Sequence, residues 1–146
     1  MIADDIAAAL PELRAHAESL MVDSCLITRQ RVDANGEPVR TMDPDTLELT
    51  YVWDEVYAGK CRVQRFRGQG LSDVMAGEVE FGKAYLQLQV PVAVLGVRPK
   101  DRVTFTAVGA ISDPALLSEV ATVMDDLSKT HATKRTLMCE VVQANG

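Results

Sequence analysis

Residues 24–32, SCLITRQRV, mark the point where the hydrophobic period of the chain changes from helical to extended. Cys25, Ile27 and Arg29 fall on one side of an extended segment, Leu26, Thr28 and Gln30 on the other, and Val32 follows. Such alternation marks a strand with two unlike faces. Upstream the spacing is three and four: Ile6, Leu10, Leu13, Ala17 and Leu20 lay an apolar stripe along one side of a helix. Pro11 falls inside that stripe. Lacking the N–H that an interior turn needs, it is expected to open a second short helix rather than continue the first.

Downstream of residue 32 the signals are strands and turns. Asn35-Gly36 and Asp43-Pro44-Asp45 predict two turns, because these residues tolerate or preset the backbone angles of tight reversals. LELTYVWDEVYAG (47–59) reads as one long strand with Leu47, Leu49, Tyr51 and Trp53 on a shared face, closed by Gly59. In KCRVQRF (60–66) Cys61 and Val63 share a face, but the next apolar residue is Phe66, a slip of one that predicts a bulge or a strand end. Gly68 and Gly70 then predict a loop through about Gly77.

The later strands are plainer. YLQLQVPV (85–92) sets Leu86, Leu88 and Val90 against Tyr85, Gln87 and Gln89, and stops at Pro91. VRPKDRVTFTAV (97–108) holds a turn at Pro99-Lys100-Asp101 and then faces Val103, Phe105 and Ala107 one way. Asp113-Pro114 with ALLSE predicts a turn or short helix, and EVATVMDDL and TLMCEVV close the series, Leu137, Cys139 and Val141 sharing a side. Six or seven short strands after one helix predict a mainly β fold, a small antiparallel barrel or sandwich. A single domain is expected over residues 1–146, with a helical segment at 1–22 and the β part at 23–146 carrying long loops at about 33–46 and 65–78.

Composition agrees with a globular chain: 146 residues, 47% hydrophobic, 25% charged, with few aromatics and hence an aliphatic core. The cysteines Cys25, Cys61 and Cys139 form no CxxC pair and are odd in number, which predicts reduced thiols rather than a disulfide scaffold. The opening MIADDIAAALPELRAH has no basic start and no long apolar stretch, unlike a secretory signal. No apolar run approaches the roughly 18 residues of a membrane span. The net charge of −6 opposes a surface made to hold phosphate backbones. That charge is uneven: between Asp33 and Glu55 seven acids stand against one base, Arg40, whereas Lys60 to Ser72 holds four bases and no acid. Opposite patches of this kind orient association with copies or partners.

No catalytic constellation emerges. Cys61 with His131 is conceivable as nucleophile and base, but Cys61 lies mid-strand on an apolar face with no helix start or glycine elbow before it. The cysteines lack the paired spacing that organises zinc, so no metal site is expected. Asp4-Asp5, Asp54-Glu55 and Asp125-Asp126 are sequence neighbours, and neighbours point apart on helices and strands. RFRGQG (65–70) is a single arginine–glycine run in an acidic chain. A nucleic-acid-binding module of the oligonucleotide/oligosaccharide-barrel kind would use Tyr51, Trp53 and Phe66 as stacking platforms.

The order of LMVDSCLITRQR, DPDTLELTYVWDEVYAGKCRVQ, YLQLQVPV, VRPKDRVTF, SDPAL and ATKRTLMCEVV resembles a family of actinobacteriophage head-to-tail connector proteins, the head-closure or stopper group of long-tailed phages. The likeness runs from about Glu18 to Val142. In that family a proline often stands where this chain has Lys60. The resemblance implies a β-barrel with an N-terminal helix, no enzymatic activity and no cofactor. It implies a homo-oligomeric ring, typically a dodecamer, in the neck of the virion, made in the host cytoplasm. The ring sits below the portal and adaptor rings, above the tail terminator or tail tube, and around packaged double-stranded DNA, with no membrane contact. Tail terminator and adaptor are the alternatives within the same connector. Within this reading Arg65, Phe66, Arg67, Gly68 and Gly70 belong to a candidate gating or inter-subunit loop, with Asp33–Thr46 as its rival. Asp43, Asp45, Asp54 and Glu55 form a candidate acidic contact for a neighbouring subunit.

Overall fold

A computed structural model of the chain describes residues 2–65, 84–127 and 132–142, with the backbone alone for Arg65 and Leu127. The chain opens with a helix, α1 (Ile2–Ser19), followed by β1 (Asp23–Gln30), β2 (Arg40–Met42), β3 (Leu49–Tyr51), β4 (Trp53–Arg65), β5 (Ala84–Val90), β6 (Arg102–Ala107), β7 (Val120–Leu127) and β8 (Arg135–Val142). Six strands close into an antiparallel barrel in the order β1-β4-β5-β8-β7-β6, β6 returning to β1. The fold is the mainly β barrel with a preceding helix that the alternating segments predict.

Alternation fills the barrel. Cys25 and Ile27, Cys61, Leu86, Leu88 and Val90, Val103 and Phe105, Ala121 and Val123, and Leu137 and Cys139 all point inward and are buried. The residues between them face outward, as the two-residue period requires. Closure needs the strands to bend. Register shifts at Ile27/Thr28, Ser24/Cys25 and Val123/Asp125 leave Val56, Thr106 and Met124 as the extra residues, and such bulges sharpen twist at barrel corners.

Two local expectations are corrected. Pro11 lies inside one continuous helix and opens no second one. Its ring removes the bond to the Ala7 carbonyl and crowds that oxygen, but Ala7 is exposed, so the carbonyl can tilt to solvent without the helix breaking. Gly59 does not end a strand: β4 runs through it, and the break falls at Val52 instead. The glycine is needed because the Tyr57 ring folds over it, and a Cβ there would stand 2.7 Å from the Tyr57 hydroxyl oxygen. That hydroxyl donates to the Lys60 carbonyl at 2.7 Å.

One end of the barrel is clamped by an ion pair. Asp101 accepts from Arg29 Nε and Nη2, both at 2.9 Å, and from the Arg98 backbone N–H at 2.8 Å. Lys100, at φ +77°, turns the chain so that its N–H reaches the Val123 carbonyl. α1 is tethered by Arg14 Nε donating to the Ala132 carbonyl at 3.1 Å and by Glu18 facing Lys60 at 3.1 Å. No helix among the described residues is long and apolar enough to cross a membrane.

Candidate functional site

Between β1 and β4 the chain leaves the barrel as an arm. The β1–β4 ladder continues through Arg31 N–H to the Val52 carbonyl, and Val39 links both strands through Val39 N–H to Arg31 O and Val52 N–H to Val39 O. A turn at 33–37 is held by the Asp33 carboxylate, which accepts from the N–H groups of Asn35 and Glu37, with Gly36 at φ +82°. Beyond it β2 and β3 pair as a two-stranded sheet, Arg40 opposite Tyr51 and Met42 opposite Leu49. Residues 33–46, expected as a loop, thus include a strand.

The tip, 43–48, is built tightly. The Asp43 carboxylate accepts from Asp45 N–H at 2.8 Å and Thr46 N–H at 3.4 Å, Leu47 N–H reaches Asp43 O, and Asp43 N–H reaches Glu48 O. These bonds hold Leu47 at φ +60°, a left-handed conformation that a leucine rarely adopts, with its side chain 68% exposed. Val32, Met42, Leu49 and Tyr51 are exposed along the same arm. The arm is therefore apolar, acidic and wet.

The candidate acidic block is divided by this geometry. Asp43 and Asp45 are at the tip. Asp54 is at the root, engaged by the Arg31 guanidinium, whose hydrogen bonds hold the Asp54 carboxyl below its ordinary range and raise Arg31 in turn. Glu55 is exposed on β4 opposite Thr28. Of the candidate loop, Arg65 ends β4 opposite Leu86, and Phe66, Arg67, Gly68 and Gly70 lie outside the described residues. Of the aromatic platforms, Trp53 has the Arg102 guanidinium 3.8 Å from its ring centroid and Tyr51 has that of Arg40 at 5.5 Å. One face of each ring is thus already taken. Phe66 is outside the described residues.

The thiols are sealed. Cys25, Cys61 and Cys139 are buried in one core. A hydrogen bond with Cys25 and then burial push the Cys61 thiol far up, and burial pushes Cys139 up to about 12. Thiols in that state are poor nucleophiles. His131, the conceivable base, lies outside the described residues. Among the described residues no three of His, Cys, Asp and Glu come together as metal ligands.

A cleft of about 450 Å³ opens where α1 meets the barrel. Leu20, Val22, Val63, Ile111 and Leu116 give it apolar walls, and Arg62 and Asp23 line it as well. Gly109 packs closely behind the Val22 wall: a Cβ there would meet Val22 Cγ2 at 2.9 Å. Asp23 fixes that wall by accepting from Gly109 N–H at 2.8 Å and from the Ser112 hydroxyl. The sequence reading missed this cleft. Its one local signal was Ile111, an aliphatic residue in a turn segment, now 95% exposed.

The sequence profile described as Family of unknown function (DUF6093) matches residues 13–140, which is most of the chain. The chain belongs to the DUF6093 family. The match takes in the barrel up to Glu140 and the last seven residues of α1. No curated protein sequence matches this DUF6093 chain. The solution structure of protein SF1141 from Shigella flexneri 2a is similar to it at 14% identity and a TM-score of 0.48, covering 80% of this chain and 88% of that one.

Proposed function

We propose that this chain is a structural component of a bacteriophage neck, a head-to-tail stopper that forms a ring, closes the DNA channel after packaging and offers the surface on which the tail docks. The observation that carries the reading is a closed barrel bearing an exposed apolar arm and a helix with no fully buried residue. Surfaces of that kind gain by covering one another, and the described residues bring no reactive groups together. The order of sequence motifs from Glu18 to Val142 supports the connector family as the setting.

In this reading the partners are further copies of the chain, twelve in the ring, with the portal or adaptor ring above and the tail terminator or tail tube below. Packaged double-stranded DNA runs through the middle. An acidic chain suits a duct through which DNA must slide, because like charge opposes lasting phosphate contacts. No cofactor and no membrane take part.

A phage lacking this chain tests the proposal. It should accumulate full heads that lose DNA and free tails that do not join, and purified protein added to fresh heads should restore joining. Heads that keep their DNA and join tails without the chain would reject it.

A further inference from the structure

We infer that the tip of the arm docks on the 91–101 segment of a second copy of this chain, Leu47 packing beside Leu95 while the acids of the tip face Arg98 and Lys100. The inference rests on the self-association in the reading above, but not on its setting in a phage.

Both surfaces lie at the same end of the barrel. The arm leaves where Gln30 stands opposite Trp53, at the C-terminal end of β1. The 91–101 segment is fastened to that end. The Arg29 guanidinium donates to the Gly96 carbonyl and holds Asp101, and Arg102 lies over the Trp53 ring. Subunits of a closed ring are related by rotation without rise along the axis, so the surfaces that join them must sit at one height. Two surfaces at one end of a barrel meet that condition. Within one chain they do not touch, since Leu47 is 68% and Leu95 73% exposed. A contact between them is therefore one between copies.

Charge names the partner. Residues 41–53 hold Asp43, Asp45 and Glu48 and no base, whereas residues 84–100 hold Arg98 and Lys100, both exposed, and no acid. Asp54, Asp101 and Asp126 keep their charge at this end of the barrel, but each faces a guanidinium, of Arg31, Arg29 and Arg135 respectively. Of the other charged groups on the flanking strands, Arg102 stands against Asp125 and Glu55, so with Arg98 and Lys100 the bases outnumber the acids. Two arm tips repel one another, while a tip and this loop attract.

Both aliphatic side chains are ordered before they meet. Four hydrogen bonds of the tip hold Leu47 in its left-handed backbone. Leu95 is flanked by Val94, whose N–H reaches the Pro91 carbonyl, and by Gly96, at φ +89° with its carbonyl on Arg29. Ordering before contact lowers the entropy lost on binding.

Thiol cross-linking tests the contact, since the native cysteines are buried. Leu47→Cys and Leu95→Cys variants of the full chain, one carrying a size tag, are mixed at high concentration and oxidised with diamide. Mixed dimers should form at least about tenfold faster than either homodimer, because the contact raises the local thiol concentration. A mixture of Leu47→Cys with Ile111→Cys, whose thiol is exposed beside the cleft, reports random collision. A chain carrying both Leu47→Cys and Leu95→Cys should form a ladder of trimers and larger species. Arg98→Glu/Lys100→Glu in the Leu95→Cys chain should slow the mixed dimer by about tenfold, and Asp45→Lys/Glu48→Lys in the Leu47→Cys chain should restore it. Mixed dimers no faster than the collision mixture, as when a basic protein of another kind covers the arm, overturn the inference. So does a double variant that stops at dimers, or a charge reversal that has no effect or no rescue. Failure here with tail joining still dependent on the chain removes this contact and keeps the neck reading; a ladder in a chain that heads do not need does the reverse.

Discussion

The Asp101 carboxylate, 2% exposed, receives both Nε and Nη2 of Arg29 at 2.9 Å, tying the segment that follows β5 to the C-terminal end of β1. The same guanidinium donates to the Gly96 carbonyl, and Asp101 also accepts from Arg98 N–H, so two charges fasten one end of the barrel. The rigidity that the proposed function asks of the barrel depends on such ties.

Arg29→Ala leaves that carboxylate buried without its counter-charge. The expected cost is about 3 kcal/mol, the low end for breaking a buried pair, because the Arg29 side chain stays a third exposed. Asp101→Asn keeps an acceptor for Arg98 N–H and should cost less. Urea unfolding of the two variants checks the order; a loss under about 1 kcal/mol for Arg29→Ala would contradict it.

Gly59→Ala forces a methyl group against the Tyr57 hydroxyl and ring. Overpacking of this kind costs about 1–3 kcal/mol. In a Tyr57→Phe background the hydroxyl that stands 2.7 Å from the new Cβ is gone, so Gly59→Ala should cost less there. Equal costs in both backgrounds would show that the ring does not lie over the glycine.

The raised thiol and phenol pKa values set an alkaline limit. Cys139, at about 12, and Cys61 stay neutral in the folded chain, whereas free thiols ionise near 8.5. Their contribution is complete below about pH 8.5 and declines as pH rises toward the folded values. Tyr57, pushed by burial to about 12, adds a further decline above about pH 10. Iodoacetamide at pH 8 should label none of the three cysteines before unfolding and all of them after it.

Asp54 provides the acid-side counterpart. Arg31 holds its carboxyl low, so the small contribution of this exposed pair is present above the ordinary value near 3.9 and is lost as pH falls through the lowered one. Carboxyl titration by NMR should find Asp54 below the ordinary range, and Arg31→Gln should return it there. An unchanged midpoint in the variant would reject the pairing.

How far these features could be read from the residues follows from locality. Leu86, Leu88 and Val90 lie in one run of strict alternation and all point inward, so β5 was legible in full. The turns at 33–37 and 43–46 were legible because Asp33 and Asp43 cap their own neighbours. Strand order was not. β5 pairs β8 across about fifty residues, and no local pattern names that partner. The stretch 47–53 was read as one strand because Leu47, Leu49, Tyr51 and Trp53 alternate; in fact Leu47 turns at φ +60° and the first three are exposed, their alternation serving the arm rather than the core. The cleft depends on Gly109 meeting Val22, residues far apart in sequence, and so had no local signature beyond Ile111.

Leu47→Gly separates folding from assembly. Glycine accepts the left-handed backbone, so the barrel should unfold at the same or slightly higher urea concentration, by up to about 1 kcal/mol. Tail joining to full heads should nevertheless fall at least about tenfold, because the side chain offered to the neighbour is gone. Full joining activity in a Leu47→Gly chain would show that the tip is only a turn.

Direct imaging of the neck in intact particles of a phage that encodes this chain bears most closely on the whole account. The account predicts twelve copies of the six-stranded barrel in a closed ring at the head–tail junction, each arm laid against the next subunit. A junction with no density for this barrel, or the barrel present as isolated copies away from the DNA duct, would contradict it.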